Sequence, residues 1–164
     1  MSYRLVYDIF NIDYINDSLK KGRGRMADAR DKALKIIEKD NIGVMATVSG
    51  NKPVARYMTF YNEGFTLYTI TDKRTSKVED IEANPHAFIL LGYEEGLLNK
   101  NFVEIDAKVS TTDDQALIEH LWSSYMNAIF EGKDDPNILI LKITPEKISL
   151  RGTKNTEEES VDLT

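Results

Sequence analysis

Cysteine is absent from all 164 residues. That absence removes disulfides, thiolate metal sites and cysteine nucleophiles together, and it fits a reducing cytoplasm, the expected location. Histidine is scarce, with two copies. His86 enters an apolar run and His120 follows Glu119 in a helical pattern, so both read as structural or solvated side chains, and no metal site is expected. Positive charge is in deficit: 21 basic against 27 acidic residues give a formal net charge of -6. Such a chain is a poor candidate for sequence-independent binding along a nucleic-acid backbone. No apolar run approaches the roughly 20 residues of a membrane span, and no secretory signal pattern opens the chain, so no membrane partner is expected. No serine occupies a nucleophile-elbow pattern. The remaining composition, 41% hydrophobic and 29% charged, is that of a soluble globular protein, and the length favours one domain with a real core.

Residues 1–25 are expected to be an N-terminal extension. Their apolar residues follow no long single period, and Lys20-Lys21-Gly22-Arg23-Gly24-Arg25 runs into Met26. The segment reads either as sequence upstream of a natural start at Met26 or as an arm that packs on a neighbouring subunit. Its glycines match a dinucleotide-fold pattern on paper, but no apolar strand precedes them, so that reading is rejected.

The domain spans 26–152. From Asp28, apolar Ala29, Ala33, Leu34, Ile36 and Ile37 take one side of a helix. Ile42 to Ser49, Pro53 to Tyr61 and Gly64 to Thr71 read as strands joined by short turns, which predicts an antiparallel meander. Ser76 to Asn84 reads as a short helix closed by Pro85. His86 to Tyr93 is nearly continuous in apolar residues and predicts a central strand buried on both faces. Asn101 to Thr111 alternates. Thr112-Asp113-Asp114 starts a helix carrying Leu117, Ile118, Leu121, Trp122 and Tyr125. Ile138 to Ile143 and Ile148 to Leu150 are the last strands, separated by Thr144-Pro145-Glu146. Residues 153–164 are expected to be an acidic, flexible tail. The sum is a mainly β chain with flanking helices, about six strands closing a small antiparallel barrel.

The most informative stretch runs from Leu67 to Lys77. An alternating run ends in hydroxyls, Thr69 and Thr71, and Lys73-Arg74-Thr75-Ser76-Lys77 then leads into a helix. Cations, hydroxyls and freed backbone N–H groups at a helix start are what a phosphate needs. Arg56 and Met58 share a face one strand earlier. Singly, each piece has a plainer reading: a salt bridge for Arg56, strand propensity for the threonines, a solvated face for the charge run. Their order is more specific than any one of them, and it suggests a small phosphorylated ligand held against a sheet.

Arg56-x-Met58, Leu67-Tyr68-Thr69-Ile70-Thr71, Arg74-Thr75-Ser76-Lys77-Val78 and Ile81-x-x-Asn84-Pro85 together resemble the pyridoxamine 5′-phosphate oxidase-like superfamily of FMN-binding split barrels. Phe102 to Ala107, Leu121-Trp122, Asp134-Asp135-Pro136 and Ile138 to Glu146 resemble its general-stress-protein branch. The resemblance covers about residues 28–150. It implies a six-stranded split barrel, a homodimer, and FMN at the subunit interface. It implies Arg56 and Lys77 on the phosphate with Ser76 as a hydroxyl donor, Met58 near the isoalloxazine, and Thr69 and Thr71 along the ribityl–phosphate region. Ile70 would meet the ring from the backbone side, and Trp122 would come from the partner subunit; a tryptophan spaced with Ile118 and Leu121 also reads as plain core.

Two departures stand out. Ser149-Leu150 replaces the aromatic pair common at the end of the last strand in that branch. The chain also lacks a C-terminal motif rich in arginine and tryptophan, which argues against pyridoxamine phosphate as substrate. Three functions follow as expectations: an FMN-dependent oxidoreductase acting on an unidentified small molecule in a stress response; a non-catalytic flavin-binding or sequestering protein; or a split barrel using another cofactor such as haem or a deazaflavin. No separate acid–base or substrate-charge cluster is evident, so no catalytic residue is assigned.

Overall fold

The computed structural model describes residues 20–22, 24, 27–93, 101–152 and 158–164. Apart from four helical positions, the expected extension 1–25 lies outside the described residues.

Helix α1 covers residues 27–39. Ala29, Ala33 and Ile37 recur every four residues and are buried at 1%, 0% and 3% exposure; the small alanines bring the helix axis close to the sheet beneath. Eight strands follow among the described residues: β1 (Ile42–Ser49), β2 (Lys52–Thr59), β3 (Tyr61–Glu63), β4 (Thr66–Asp72), β5 (His86–Leu91), β6 (Asn101–Thr112), β7 (Ile138–Gly152) and β8 (Glu159–Ser160). Helix α2 (Ser76–Ala83) lies between β4 and β5, and α3 (Gln115–Leu121) with a 3-10 turn (Ser124–Ala128) lies between β6 and β7.

All pairings are antiparallel, in the order β2-β1-β5-β6-β7-β4-β3, with β8 added on β7. The ends of that order, β2 and β3, are consecutive in the chain and separated only by Phe60, which is buried at 3%. One bent stretch of chain therefore joins both edges of the sheet and closes a split barrel. Six of the eight strands are long; β3 and β8, of three and two residues, are the additional ones.

Closure corrects the expected meander. β1–β2 and β3–β4 are hairpins, turning at Gly50 (φ 58°) and Gly64 (φ 57°) in the left-handed region that glycine tolerates. β2 and β4, however, are not neighbours, because β4 pairs with β7. The last two expected strands are one strand, β7. Its register against β6 slips at Asp106/Ala107, where Lys147 faces Asp106 and Pro145 faces Ala107. Glu146 is the extra residue of a β-bulge, which accommodates Pro145 without ending the strand.

The interior is filled by Met45, Leu67, Ile89, Val103, Ile105, Ile143 and Ile148, all at 0% exposure. A second apolar cluster, Tyr68, Ile118, Leu121, Met126, Phe130, Ile138 and Ile140, lies on the other face of β4 and β7 beneath α3. β5 departs from the expectation of burial on both sides. Ala87, Ile89 and Leu91 point inward and are buried, while Phe88 and Leu90 on the outer face are only half-buried.

The last residues are not the free tail expected from their acidity. β8 pairs with Ser149 and Leu150. Val161 is buried at 5%, and its N–H donates to the Ile148 carbonyl at 2.9 Å. Glu158 anchors the segment through Lys147 (2.5 Å), Ser149 (2.6 Å) and Arg151 (3.3 Å). Arg30 of α1 donates to the Asp162 carbonyl at 2.8 Å and stacks over Phe65. An acidic segment docks here because β7 presents two cations beside an open strand edge. Among the described residues, no helix is long and apolar enough to cross a membrane.

Candidate functional site

The two-residue turn at Gly50-Asn51 sets Ser49 opposite Lys52, which in turn sets Met45 opposite Arg56 and Gly43 opposite Met58. Arg56 and Met58 thus share the inward face of β2 with buried Met45 and Thr47. The guanidinium donates from Nη1 to Thr47 Oγ1 at 2.9 Å, and Nη2 lies 3.8 Å from Asp80 Oδ2 on α2. Met58 packs against the interior cluster.

β4 delivers the second half. Leu67, Thr69 and Thr71 take its inward face, the two threonines at 2% and 5% exposure. The chain then turns at Asp72, whose carboxylate accepts the Arg74 N–H at 2.8 Å and the Arg74 side chain at 2.9 and 2.5 Å. This pairing holds the Asp72 carboxyl down at about 2 and turns Arg74 to solvent (69% exposed). Of the charge run, only Lys77 turns inward. Its Nζ donates to Thr71 Oγ1 at 2.8 Å and Thr75 Oγ1 at 3.3 Å. Burial pushes the Lys77 ammonium below its ordinary pKa, and the nearby positive charge of Arg56 pushes it further. The two cations from separate elements are therefore close enough to repel.

The expected residues fall into two groups. Arg56, Thr71 and Lys77 meet in one corner with Thr47, Thr75 and Asp80; Thr69 lies behind Thr71 on the same strand face, and Ser76 is exposed at the first position of α2. Ile70 and Trp122 lie on the other side of the sheet: both pack on the second cluster, across β4 from the corner. Trp122 is not a helical residue. α3 ends at Leu121, and Trp122 caps it in extended conformation (φ -63°, ψ 128°), its ring 6.3 Å from that of Phe130.

Thr47, Thr75 and Asp80 were absent from the expected set. Hairpin register carries the signal for Thr47, because a two-residue turn places it one step diagonally from Arg56. Helical spacing carries that for Asp80, three residues after Lys77 and so on the same helix face. A cleft of about 300 Å³ lined by Lys108, Val109, Ser110, Thr144 and Glu146 shares no residue with this corner.

Two cations, three threonine hydroxyls and one carboxylate thus stand together where β2, β4 and α2 meet. Comparison with known proteins agrees with the fold. Residues 29–152 match the family described as pyridoxamine 5′-phosphate oxidase. General stress protein 26 of Bacillus subtilis (strain 168) is 40% identical over 136 residues, covering 83% of this chain and 97% of that protein. The crystal structure of General Stress Protein 26 from Bacillus anthracis str. Sterne superposes with a TM-score of 0.72 at 30% identity, covering 82% of this chain and 98% of that one. The chain belongs to the pyridoxamine 5′-phosphate oxidase family.

Proposed function

We propose that this chain is an FMN-binding flavoprotein of the cytoplasm, and an oxidoreductase acting on a small molecule. The observation that carries the reading is the nearness of Arg56 from β2 and Lys77 from α2, the first bonded to the Thr47 hydroxyl and the second to those of Thr71 and Thr75. That donor set fits a phosphomonoester: two cations answer its charge and hydroxyls answer its oxygens. Met58, on the same strand face as Arg56, offers a soft apolar surface for a flat ring. Arg56 and Lys77 would hold the FMN phosphate with Ser76 at the helix start, Thr69 and Thr71 would line the way to the ring, and Ile70 would meet the ring through its backbone. The flavin supplies the redox chemistry when bound; the chain binds and orients it.

The same reading includes a homodimer with FMN at the interface. The outer face of β2-β1-β5 carries Tyr57, Val44, Leu90, Ala46 and Phe88 in adjacent register. Tyr57 is 80% exposed, and an apolar sheet face of this kind favours a covering partner. Because β2 presents Tyr57 outward and Arg56 inward, a second copy on this face borders the corner. Trp122 of that copy is assigned beside the ring. A purified protein that carries bound FMN, visible in its absorbance, supports the reading, and aerobic NAD(P)H consumption separates catalysis from flavin storage. A colourless protein that takes up no added FMN would refute it.

A further inference from the structure

The two cations of the corner are compensated unequally. Lys77 is answered by hydroxyls, Thr71 at 2.8 Å and Thr75 at 3.3 Å. Arg56 is answered by one hydroxyl, Thr47 at 2.9 Å, and by a carboxylate, Asp80 at 3.8 Å. The side chains of Arg56 and Asp80 are 20% and 12% exposed, so their charges are only partly screened. Asp72, the other acid near Lys77, is held by Arg74 at 2.5 Å. At 3.8 Å the Asp80 contact is too long for a hydrogen bond. Thr47 therefore sets the direction of the guanidinium, and Asp80 acts on it as a charge.

We propose that Asp80 is a resident counter-anion of the corner and determines which anions it accepts. This rests on the flavin reading above. Asp80 offsets the Arg56 charge in the free protein, and an incoming phosphate must compete with it for the guanidinium. A singly charged anion gains little, because a carboxylate already occupies that role. A phosphomonoester dianion engages Arg56 and Lys77 at once and outcompetes it. Selectivity thus comes from a built-in repulsive element as much as from the attractive ones.

The test is titration of FMN, and of riboflavin, which has the same ring and no phosphate, into wild type and Asp80→Asn. The near-isosteric asparagine removes the charge and leaves the Thr47 anchor. FMN is expected to bind about two- to fivefold tighter in the variant, with riboflavin unchanged and nitrate, a singly charged anion, gaining proportionally more than FMN in competition titrations. Asp80→Ser, checked for folding by circular dichroism, is expected to act in the same direction. Unchanged or weaker FMN binding, equal shifts for FMN and riboflavin, or unaltered nitrate competition would overturn the role of Asp80 while leaving the flavin reading in place. Absence of FMN binding in wild type would overturn both.

Discussion

Replacing Lys77 with methionine is a sharp probe of the corner, because it deletes the charge and keeps an apolar stem of similar length. The Lys77 ammonium reaches two hydroxyls at 2.8 and 3.3 Å, so it is already placed among the groups that would surround a phosphate. A hydrogen bond from a charged donor is worth about 1.5–3 kcal/mol. Because Lys77 is only half-buried, the lower part of that range applies, and FMN affinity should fall by about 10- to 30-fold. Riboflavin affinity should not change. The free protein should behave oppositely. Burial and Arg56 disfavour the ammonium in the folded state, so Lys77→Met should not lower the ligand-free melting temperature. The pH dependence follows the same sign. FMN binding favours protonated Lys77, so wild-type affinity should fall as pH rises through the lowered lysine pKa, and the variant should lack that fall. Fluorescence titration with both flavins across pH reads all of this. FMN affinity within about twofold of wild type, or an equal loss for riboflavin, would refute the placement of the phosphate at Lys77.

Three further outcomes follow from the fold. Tyr57→Asp, which puts a charge on the apolar outer face, should convert a dimer to monomers in sedimentation velocity and lower FMN occupancy; an unaltered dimer would move the interface elsewhere. Asp114 caps α3 by accepting the Leu117 N–H at 2.8 Å, so Asp114→Ala should cost about 1 kcal/mol in urea unfolding. Glu158 is held at about 2, against an ordinary 4.5, chiefly by Lys147 and then by Ser149. Its contribution to stability is present above the unfolded value and is lost as pH falls toward the folded one; Glu158→Gln should therefore be less stable than wild type at neutral pH and converge with it near pH 2 in denaturant melts.

Local chemistry was legible wherever periodicity and turn residues agreed. β1 runs from Ile42 to Ser49 as read, and the alternation of Val103, Ile105, Ala107 and Val109 correctly marks the buried face of β6. Long-range pairing was not legible. Nothing within Pro53–Tyr61 signals that the chain bends at Phe60 and changes neighbours, because that bend is fixed by closure of the whole sheet. Pro145 suggested a break in β7, and only the opposing strand shows that a bulge absorbs it. Trp122 looked helical by spacing, yet α3 stops one residue earlier. In the corner, Arg56 and Lys77 could be named from motif order, whereas Asp80 emerges only when register and helix face are combined. The acidity of residues 158–164 suggested solvation; their docking on Lys147 and Arg151 of β7 and on Arg30 of the distant helix α1 is set by tertiary packing.

The most direct measurement is a crystal structure of the chain grown with FMN. The account predicts one flavin in each of two grooves shared by a pair of chains, with its phosphate against Arg56 and Lys77. A flavin phosphate bound away from both side chains, or a single chain with no flavin in saturating FMN, would contradict it.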